Sequence, residues 1–303
     1  MAVEKQVVTS RSLYKFDFIS KRKIWFIFSS LIIITGLIFF IVRGFSFNYG
    51  IDFLGGNLME VKFKQDVSIS ELRKVMTDAG YGNSIIQSTL PSQYVIRTVP
   101  IEISEKTTIL ENLDSKIGIE RPLVQDRQVA AGFSKQITKY AMIAVAISLA
   151  GILIYIWIRF EFRFAIIAIL ELLHDILIVL SFYAITYREI NTTSIAVILT
   201  ILGYSLSDGI VVFDRIREEV KFNKKDHFID IVNISINKIL SRSISTTVTT
   251  LFPMIVLLII GNETLKDFAF GLIVGILAGT YSSIFFGSPL LVAWNNRFPK
   301  YKK

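Results

Sequence analysis

The chain has 303 residues, of which 52% are hydrophobic, and a formal net charge of +8. One soluble domain seldom has such a composition, whereas a protein with several membrane spans does. The sequence contains no cysteine, which excludes a disulfide framework and a thiolate metal site. The Lys and Arg residues gather at the ends of apolar segments, so they are interpreted as topology signals and no nucleic-acid partner is predicted.

The first span is predicted at residues 24–43, after a polar and basic N-terminus at residues 1–23. Its apolar run is about 28 Å long at helical rise, which is enough to cross a bilayer. A cleaved signal peptide is the alternative, but its apolar core would be only about 7–15 residues, followed by a small-residue cleavage site. The longer run ends in Arg43-Gly44-Phe45 and favours a retained anchor.

Residues 44–135 are more polar and predict a separate α+β domain. A capping box at Ser68-Ile69-Ser70-Glu71 begins a helix that runs to about Ala79, and a second helix is predicted from Glu105 to Lys116. Alternating patterns predict strands at 57–64, 84–90, 93–99 and 120–129. The order β-α-β-β-α-β is typical of a small ferredoxin-like domain, interpreted here as a docking or substrate-contacting module.

Five further spans follow the domain, at residues 137–158, 162–183, 191–213, 241–260 and 267–294. The segment 214–240 is predicted to be a polar loop, in which Phe228 to Leu240 forms an amphipathic helix at the membrane surface. A bend is expected at Pro253, and residues 295–303 form a basic tail.

The basic residues test this count of spans. Six spans place both termini, the loop at Arg159 and Arg163 and the 214–240 loop on one side, and leave only Arg188 and Lys266 in the short loops of the other. This is the positive-inside pattern, which predicts cytoplasmic termini and an extracytoplasmic domain. The predicted fold is an α-helical polytopic membrane protein of six transmembrane helices, with one small α+β extracytoplasmic domain between the first two.

Asp208 lies inside the fourth span and is the leading functional candidate. A carboxylate at that depth costs roughly 3 kcal/mol on insertion scales, so it must face protein or water, or hold a proton. Arg242, at the start of the antiparallel fifth span, enters from the same side. Two interpretations of Arg242 stay open: its side chain pairs with Asp208, or it extends to the interface as an ordinary flanking residue.

Glu171, His174 and Asp175 share one face of the third span, because they are spaced by three and four residues. A Glu-x-x-His pair on a bundle helix can bind metal, but di-metal bundles need that pair twice. Since it occurs once, we predict no metal and favour a buried hydrogen-bond cluster or a proton relay. The residues assemble no nucleophile, base and oxyanion hole, so neither a catalytic residue nor an enzyme is predicted.

Several stretches resemble the SecF family, which belongs with SecD to the protein-export membrane proteins of the resistance-nodulation-division superfamily. They run from Phe47 to Gly56, Leu173 to Asp175, Gly203 to Asp208, Val211 to Glu218, Ser241 to Ser243 and Gly279 to Ile284. The motif residues of this resemblance are Gly50, Asp52, Gly55, Gly56, Asp214, Arg215 and Arg217. Ser207 departs from the pattern, since many relatives have Asn before the Asp.

The resemblance implies an accessory subunit of the Sec translocase in the bacterial inner membrane, which uses the proton-motive force and no cofactor. By motif match, Asp208 is the proton-carrying carboxylate, Arg242 its basic partner and Thr246 a polar position of the same pathway. The implied partners are a separate SecD chain, the SecYEG channel with YajC and YidC as further candidates, and unfolded secretory polypeptide. Two alternatives remain: a structural scaffold without its own proton pathway, and a small-molecule exporter of the superfamily.

Overall fold

The computed structural model describes residues 15–159, 161–223 and 226–301. The helices are α1 Arg22–Val42, α2 Ile51–Leu54, α3 Ile69–Asp78, α4 Ile103–Lys116, α5 Ala131–Arg159, α6 Phe162–Thr186, α7 Thr192–Phe222, α8 Phe228–Ile260, α9 Glu263–Ser282 and α10 Ser288–Arg297, with a π-helical segment Ser283–Gly287 between the last two. The strands are β1 Gly56–Lys62, β2 Ile85–Leu90, β3 Gln93–Thr98 and β4 Gln125–Val129. Most of the predicted cytoplasmic N-terminus and the last two residues of the predicted tail lie outside the described residues.

Six of the described helical segments are long and apolar enough to cross a membrane. They are α1, α5, α6, α7, α8 and the run formed by α9, the π-helical segment and α10. The chain divides into two compact units. The helical unit holds the described residues up to 47, with 145–188 and 193 onwards, and the small unit holds 48–144 with 189–192.

The helical unit is built around α6, where Ile167, Leu172 and Val179 are buried. Small residues allow its neighbours to approach, since a side chain at Gly36 of α1 would overlap Ser181 of α6. This close packing fixes the rotation of α6, so its polar residues face the interior of the unit.

The predicted helix at residues 228–240 is present, but it is not part of a loop separate from the fifth span. These residues are the first third of α8, which continues without a break to Ile260 and contains Pro253. The predicted 214–240 loop is correspondingly short, because α7 extends to Phe222.

The reason is that this part of α8 has protein partners on its apolar face. Val232 and Ile236 are fully buried in the core of the helical unit. Asn233 accepts a hydrogen bond from the backbone N–H of Phe18 at 2.9 Å, and Asn237 accepts one from that of Phe16 at 3.0 Å. An amphipathic pattern specifies a partner for the apolar face, and here that partner is protein.

The small unit confirms the ferredoxin-like prediction. Its four strands form one antiparallel sheet in the order β2-β3-β1-β4. Met59 and Val61 of β1 pack with Leu72 of α3 and Leu113 of α4 in one core. Ser68 caps α3 by accepting from the Glu71 N–H at 3.2 Å, as the capping box predicts.

The last strand begins later than predicted, at Gln125 instead of residue 120. Pro122 lies in the intervening stretch and has no N–H to donate to a strand ladder.

Candidate functional site

Asp208 lies on α7, half-buried in the helical unit, and is bound by hydroxyl groups from two other segments. The Ser243 hydroxyl of α8 donates to its Oδ1 at 3.2 Å. The Ser283 hydroxyl, at the start of the π-helical segment, donates to its Oδ2 at 2.7 Å. Hydroxyls both donate and accept, so they can adapt to a carboxylate or to a carboxylic acid.

Arg242 is exposed and, within the described residues, forms no ion pair with Asp208. The two residues instead line one cavity of about 90 Å³, together with Tyr204, Ser243 and Thr246. That volume corresponds to about three water molecules at liquid density, and the wall is polar. The guanidinium therefore faces Asp208 across space suited to water.

Thr246 lines the same cavity but does not contact Asp208 directly. Its hydroxyl donates to the backbone carbonyl of Arg242 at 2.9 Å, one turn back along α8. The structure thus brings the three predicted pathway residues to one cavity, with Asp208 and Arg242 apart.

A larger cavity of about 600 Å³ adjoins the first and shares Val211 and Arg242 with it. Its charged lining residues are Asp214, Arg215, Glu218, Lys238 and Arg242. Charged side chains of α7 and α8 therefore line the cavity next to that of Asp208.

His174 and Asp175, predicted to share a polar cluster, lie together on α6. Asp175 Oδ1 lies 3.0 Å from His174 Nδ1, and Oδ2 accepts hydrogen bonds from Ser205 of α7 and Ser282 of α9. No group of three or more metal-ligating side chains occurs in the described ranges. The cluster is a hydrogen-bond network between helices.

Glu171 lies one turn before Asp175 on the same face of α6, in a cradle of glycines. Its side chain is 3% exposed, and a Cβ at Gly209 would lie 2.8 Å from its Oε2. A Cβ at Gly287 of the π-helical segment would overlap Oε1, which has no hydrogen-bond partner among the described residues. An unpaired buried oxygen is costly. The three predicted residues therefore share one face of α6, but among the described residues Glu171 is not part of the hydrogen-bond network of His174 and Asp175.

The π-helical segment connects the two carboxylates Asp175 and Asp208. Ser282 donates to Asp175 at 2.9 Å and the next residue, Ser283, donates to Asp208 at 2.7 Å. The wider turn is followed by Pro289, which lacks an N–H, and the Ser288 hydroxyl donates to the Ser283 carbonyl at 2.8 Å. The sequence placed these serines only within the stretch of family resemblance from Gly279 to Ile284 and did not predict the π turn, which often marks functional sites.

The motif residues Asp214, Arg215 and Arg217 lie further along α7 and form ion pairs. Asp214 pairs with Arg159 of α5 at 2.9 Å and with Arg217 at 3.2 Å. Arg215 pairs with Glu219 at 2.6 Å. These contacts tie α7 to α5 and do not reach Asp208.

The remaining motif residues lie in the small unit. Gly55, with φ +75°, ends α2, and Gly56, with φ +135°, begins β1 so close to Thr98 that a side chain would overlap its carbonyl. Gly50 precedes α2, and a Cβ there would overlap Glu189. Asp52 is buried within α2.

Six spanning helices and a hydroxyl-bound carboxylate beside a polar cavity define a multi-pass membrane protein with an intramembrane carboxylate site. The family described as "Protein export membrane protein SecD/SecF, C-terminal" matches residues 108–297, more than half of the chain. The "SecD/SecF GG Motif" matches residues 38–67. The chain belongs to the SecD/SecF family of protein-export membrane proteins.

Similar proteins include two named protein translocase subunit SecF. That of Sebaldella termitidis is 40% identical over 89% of this chain and 89% of the relative. That of Calditerrivibrio nitroreducens is 40% identical over 91% of this chain and 92% of the relative. The protein translocase subunit SecDF of Bacillus subtilis is 37% identical over 93% of this chain, which spans 38% of that longer protein.

The fold is also similar to the crystal structure of SecDF, described as a translocon-associated membrane protein, from Thermus thermophilus. The TM-score is 0.85 at 32% identity, over 93% of this chain and 39% of that one. A SecDF structure in the super-membrane-facing form matches with a TM-score of 0.67 at 31% identity, over 93% of this chain and 39% of that one.

Proposed function

We propose that this chain is an accessory subunit of the bacterial Sec translocase that uses the proton-motive force to promote protein translocation. Membership of the SecD/SecF family supports the translocation role, as does similarity over most of the length of relatives named translocase subunits. We propose no cofactor, with the proton gradient as the energy source, and no catalytic reaction of its own.

The observation that carries the proton role is the setting of Asp208. Its carboxylate is bound by two neutral hydroxyls and lines a cavity with Arg242. Protonation of such a group strands no partner charge, whereas protonation within a close ion pair leaves an uncompensated cation. The site is therefore suited to gain and lose a proton as its surroundings change.

The two adjoining cavities support a route for that proton. The larger cavity is lined by charged residues, and it meets the smaller one at Val211 and Arg242. The positive guanidinium at this junction repels a hydrated cation, and we assign to Arg242 the role of limiting the escape of the proton.

The distribution of basic residues supports the proposed orientation in the inner membrane. The described ends near Lys21 and Arg297, and the turns near Arg159 and Lys221, carry most of the flanking positive charge. Both termini are then cytoplasmic and the small unit is extracytoplasmic.

The proposed partners follow from the longer relatives. This chain matches 38–39% of the longer proteins named SecDF, which supports SecD as the partner. We include the SecYEG channel, with YajC and YidC as further partners, and unfolded secretory polypeptide as the substrate of the small unit.

The test is export of a secreted precursor into membrane vesicles by the Asp208→Asn variant, with and without a proton gradient. We expect loss of the gradient-stimulated part of export, while gradient-independent export and assembly with the SecD partner are unchanged. Asp78→Asn is the matched control, because it neutralises a half-exposed carboxylate of the small unit. Normal gradient stimulation in Asp208→Asn would show that the chain is a scaffold without its own proton pathway.

A further inference from the structure

Residues 189–192, which link α6 to α7, belong to the small unit and pair with its backbone. The Ile190 N–H donates to the carbonyl of Asn48 at 2.8 Å, and the Gly50 N–H donates to the carbonyl of Ile190 at 2.9 Å. Tyr49 and Ile190 consequently form a parallel β-bridge. The link is therefore an ordered part of the small unit.

Asp52 binds the first residue of α7 with one oxygen and an arginine with the other. Its Oδ2 accepts from the Thr192 N–H at 3.0 Å and from the Thr192 hydroxyl at 2.6 Å. Its Oδ1 pairs with Arg127 of β4 at 2.8 Å. A carboxylate at a helix N-terminus satisfies an orphan N–H and interacts favourably with the helix dipole.

Glu189 forms a second, more deeply buried connection. Its Oε2 pairs with Arg97 Nη2 at 2.5 Å, and the side chains are 8% and 9% exposed. Arg97 also donates to Asn48 at 3.2 Å and to Gln87 at 2.8 Å. Gly50 leaves the space that the Glu189 carboxylate occupies, because a side chain there would overlap it.

Both arginines belong to one row of the sheet. Leu58 of β1 is the register partner of Arg97 in β3 and of Arg127 in β4. Residues paired across adjacent strands point to the same face. The two carboxylates are therefore held by a single rigid surface, on either side of Leu58.

We infer that Asp52, Glu189, Arg97 and Arg127 form a clasp that fastens the start of α7 to the sheet of the small unit, so that this helix end and the small unit move together. The inference rests on the proposed function, for which these four residues are positioning residues. Asp208 lies 16 residues after Thr192 on the same helix, which is about 24 Å at helical rise. The clasp therefore fixes the first residue of the helix that carries Asp208.

We expect the ion pairs of the clasp to stay formed in the working protein. Opening the clasp would leave Arg97 and Glu189 as buried charges without partners, which is strongly unfavourable. Asp52 is the place to open it by mutation, since its partner Arg127 is 35% exposed and can turn to solvent.

The first measurement tests the clasp itself, by hydrogen exchange of the full chain in membranes with its partner. In Asp52→Ala we expect the amides around residues 190–194 to exchange about 10-fold faster, since they lose the cap and the fixed helix end. Asp78→Ala, which breaks the half-exposed pair with Lys116 in the same unit, should leave this segment unchanged. Unchanged exchange in Asp52→Ala would overturn the inference.

The second measurement tests coupling, by export with and without a proton gradient. We expect Asp52→Ala to lose most of the gradient-stimulated export and to keep gradient-independent export. Thr192→Val, which removes only the hydroxyl bond, should lose part of it, and Thr192→Ser should restore it. A structural defect of the small unit would lower both kinds of export together, and that result would also overturn the inference.

The two proposals can fail separately. Suppose that Asp208→Asn loses gradient stimulation, while Asp52→Ala exchanges faster at residues 190–194 but keeps gradient stimulation. The clasp then has no role in proton-driven export, and the proposed function stands. If Asp208→Asn keeps gradient stimulation, the proposed function is wrong and the coupling role of the clasp is wrong with it.

Discussion

Two carboxylates of the small unit, Asp52 and Glu189, differ from two of the helical unit, Asp208 and Glu171, in the kind of partner that surrounds them. In the small unit, Asp52 and Glu189 are each bound by an arginine. In the helical unit, Asp208 is bound by serine hydroxyls, and Glu171 has an oxygen without a partner among the described residues. A carboxylate paired with an arginine keeps its charge and fixes geometry, whereas one held by neutral groups can change its charge without leaving a cation unpaired.

The largest difference in stability is expected between two variants that each neutralise one of these carboxylates. Glu189→Gln should destabilise the protein by about 3–5 kcal/mol, because it leaves Arg97 buried and unpaired. Asp208→Asn should cost less than about 1 kcal/mol, since the amide oxygen accepts from one serine hydroxyl and the amide N–H donates to the other. Thermal unfolding of the purified complex measures both variants, and equal losses of stability would contradict the distinction.

The next largest loss of stability is expected from filling the space that the glycines leave around Glu171. Gly287→Ala places a methyl group against Oε1, and overpacking of this kind costs about 1–3 kcal/mol. Gly203→Ala is the matched control, because a Cβ there meets nothing within 4 Å and alanine favours a helix. The thermal midpoint of Gly287→Ala should fall while that of Gly203→Ala is unchanged or higher. A normal midpoint for Gly287→Ala would mean that Glu171 has room to move.

The smallest effect concerns an exposed carboxylate with a cationic partner. The hydrogen bond and charge of Lys116 hold the pKa of Asp78 below its ordinary value of 3.8. Ionised Asp78 therefore stabilises the fold above pH 3.8, and this contribution is lost as the pH falls through the lowered pKa. Lys116→Gln should lower the thermal midpoint slightly at pH 7 and not at the acid end. If the thermal midpoint of Lys116→Gln were also lower at acid pH, Lys116 would stabilise the fold by packing and not through the charge of Asp78.

The parts of the fold with strong local signals were predictable. Long apolar runs predicted the six spanning helices, and alternation with the Ser68 cap predicted the order of strands and helices in the small unit. The pattern at 228–240 predicted an apolar face correctly but assigned it to the membrane, because periodicity cannot distinguish lipid from protein.

The candidate site was predictable in its residues and not in its contacts. Asp208 was evident from its depth in an apolar segment, whereas its partners Ser243 and Ser283 depend on the rotation of two other helices. The π-helical turn that sets one of those rotations has no distinct sequence pattern. Glu189 had no signal at all, since a charged residue in a short loop is ordinarily solvated.

The attachment of the N-terminal segment to α8 has a consequence for how the protein is made. Phe18 precedes its hydrogen-bond partner Asn233 by 215 residues. At a synthesis rate of about 5–20 residues per second, the segment waits roughly 10–40 s for that partner to leave the ribosome. Phe18 is thus made early and reaches its final place only after the start of α8 has emerged.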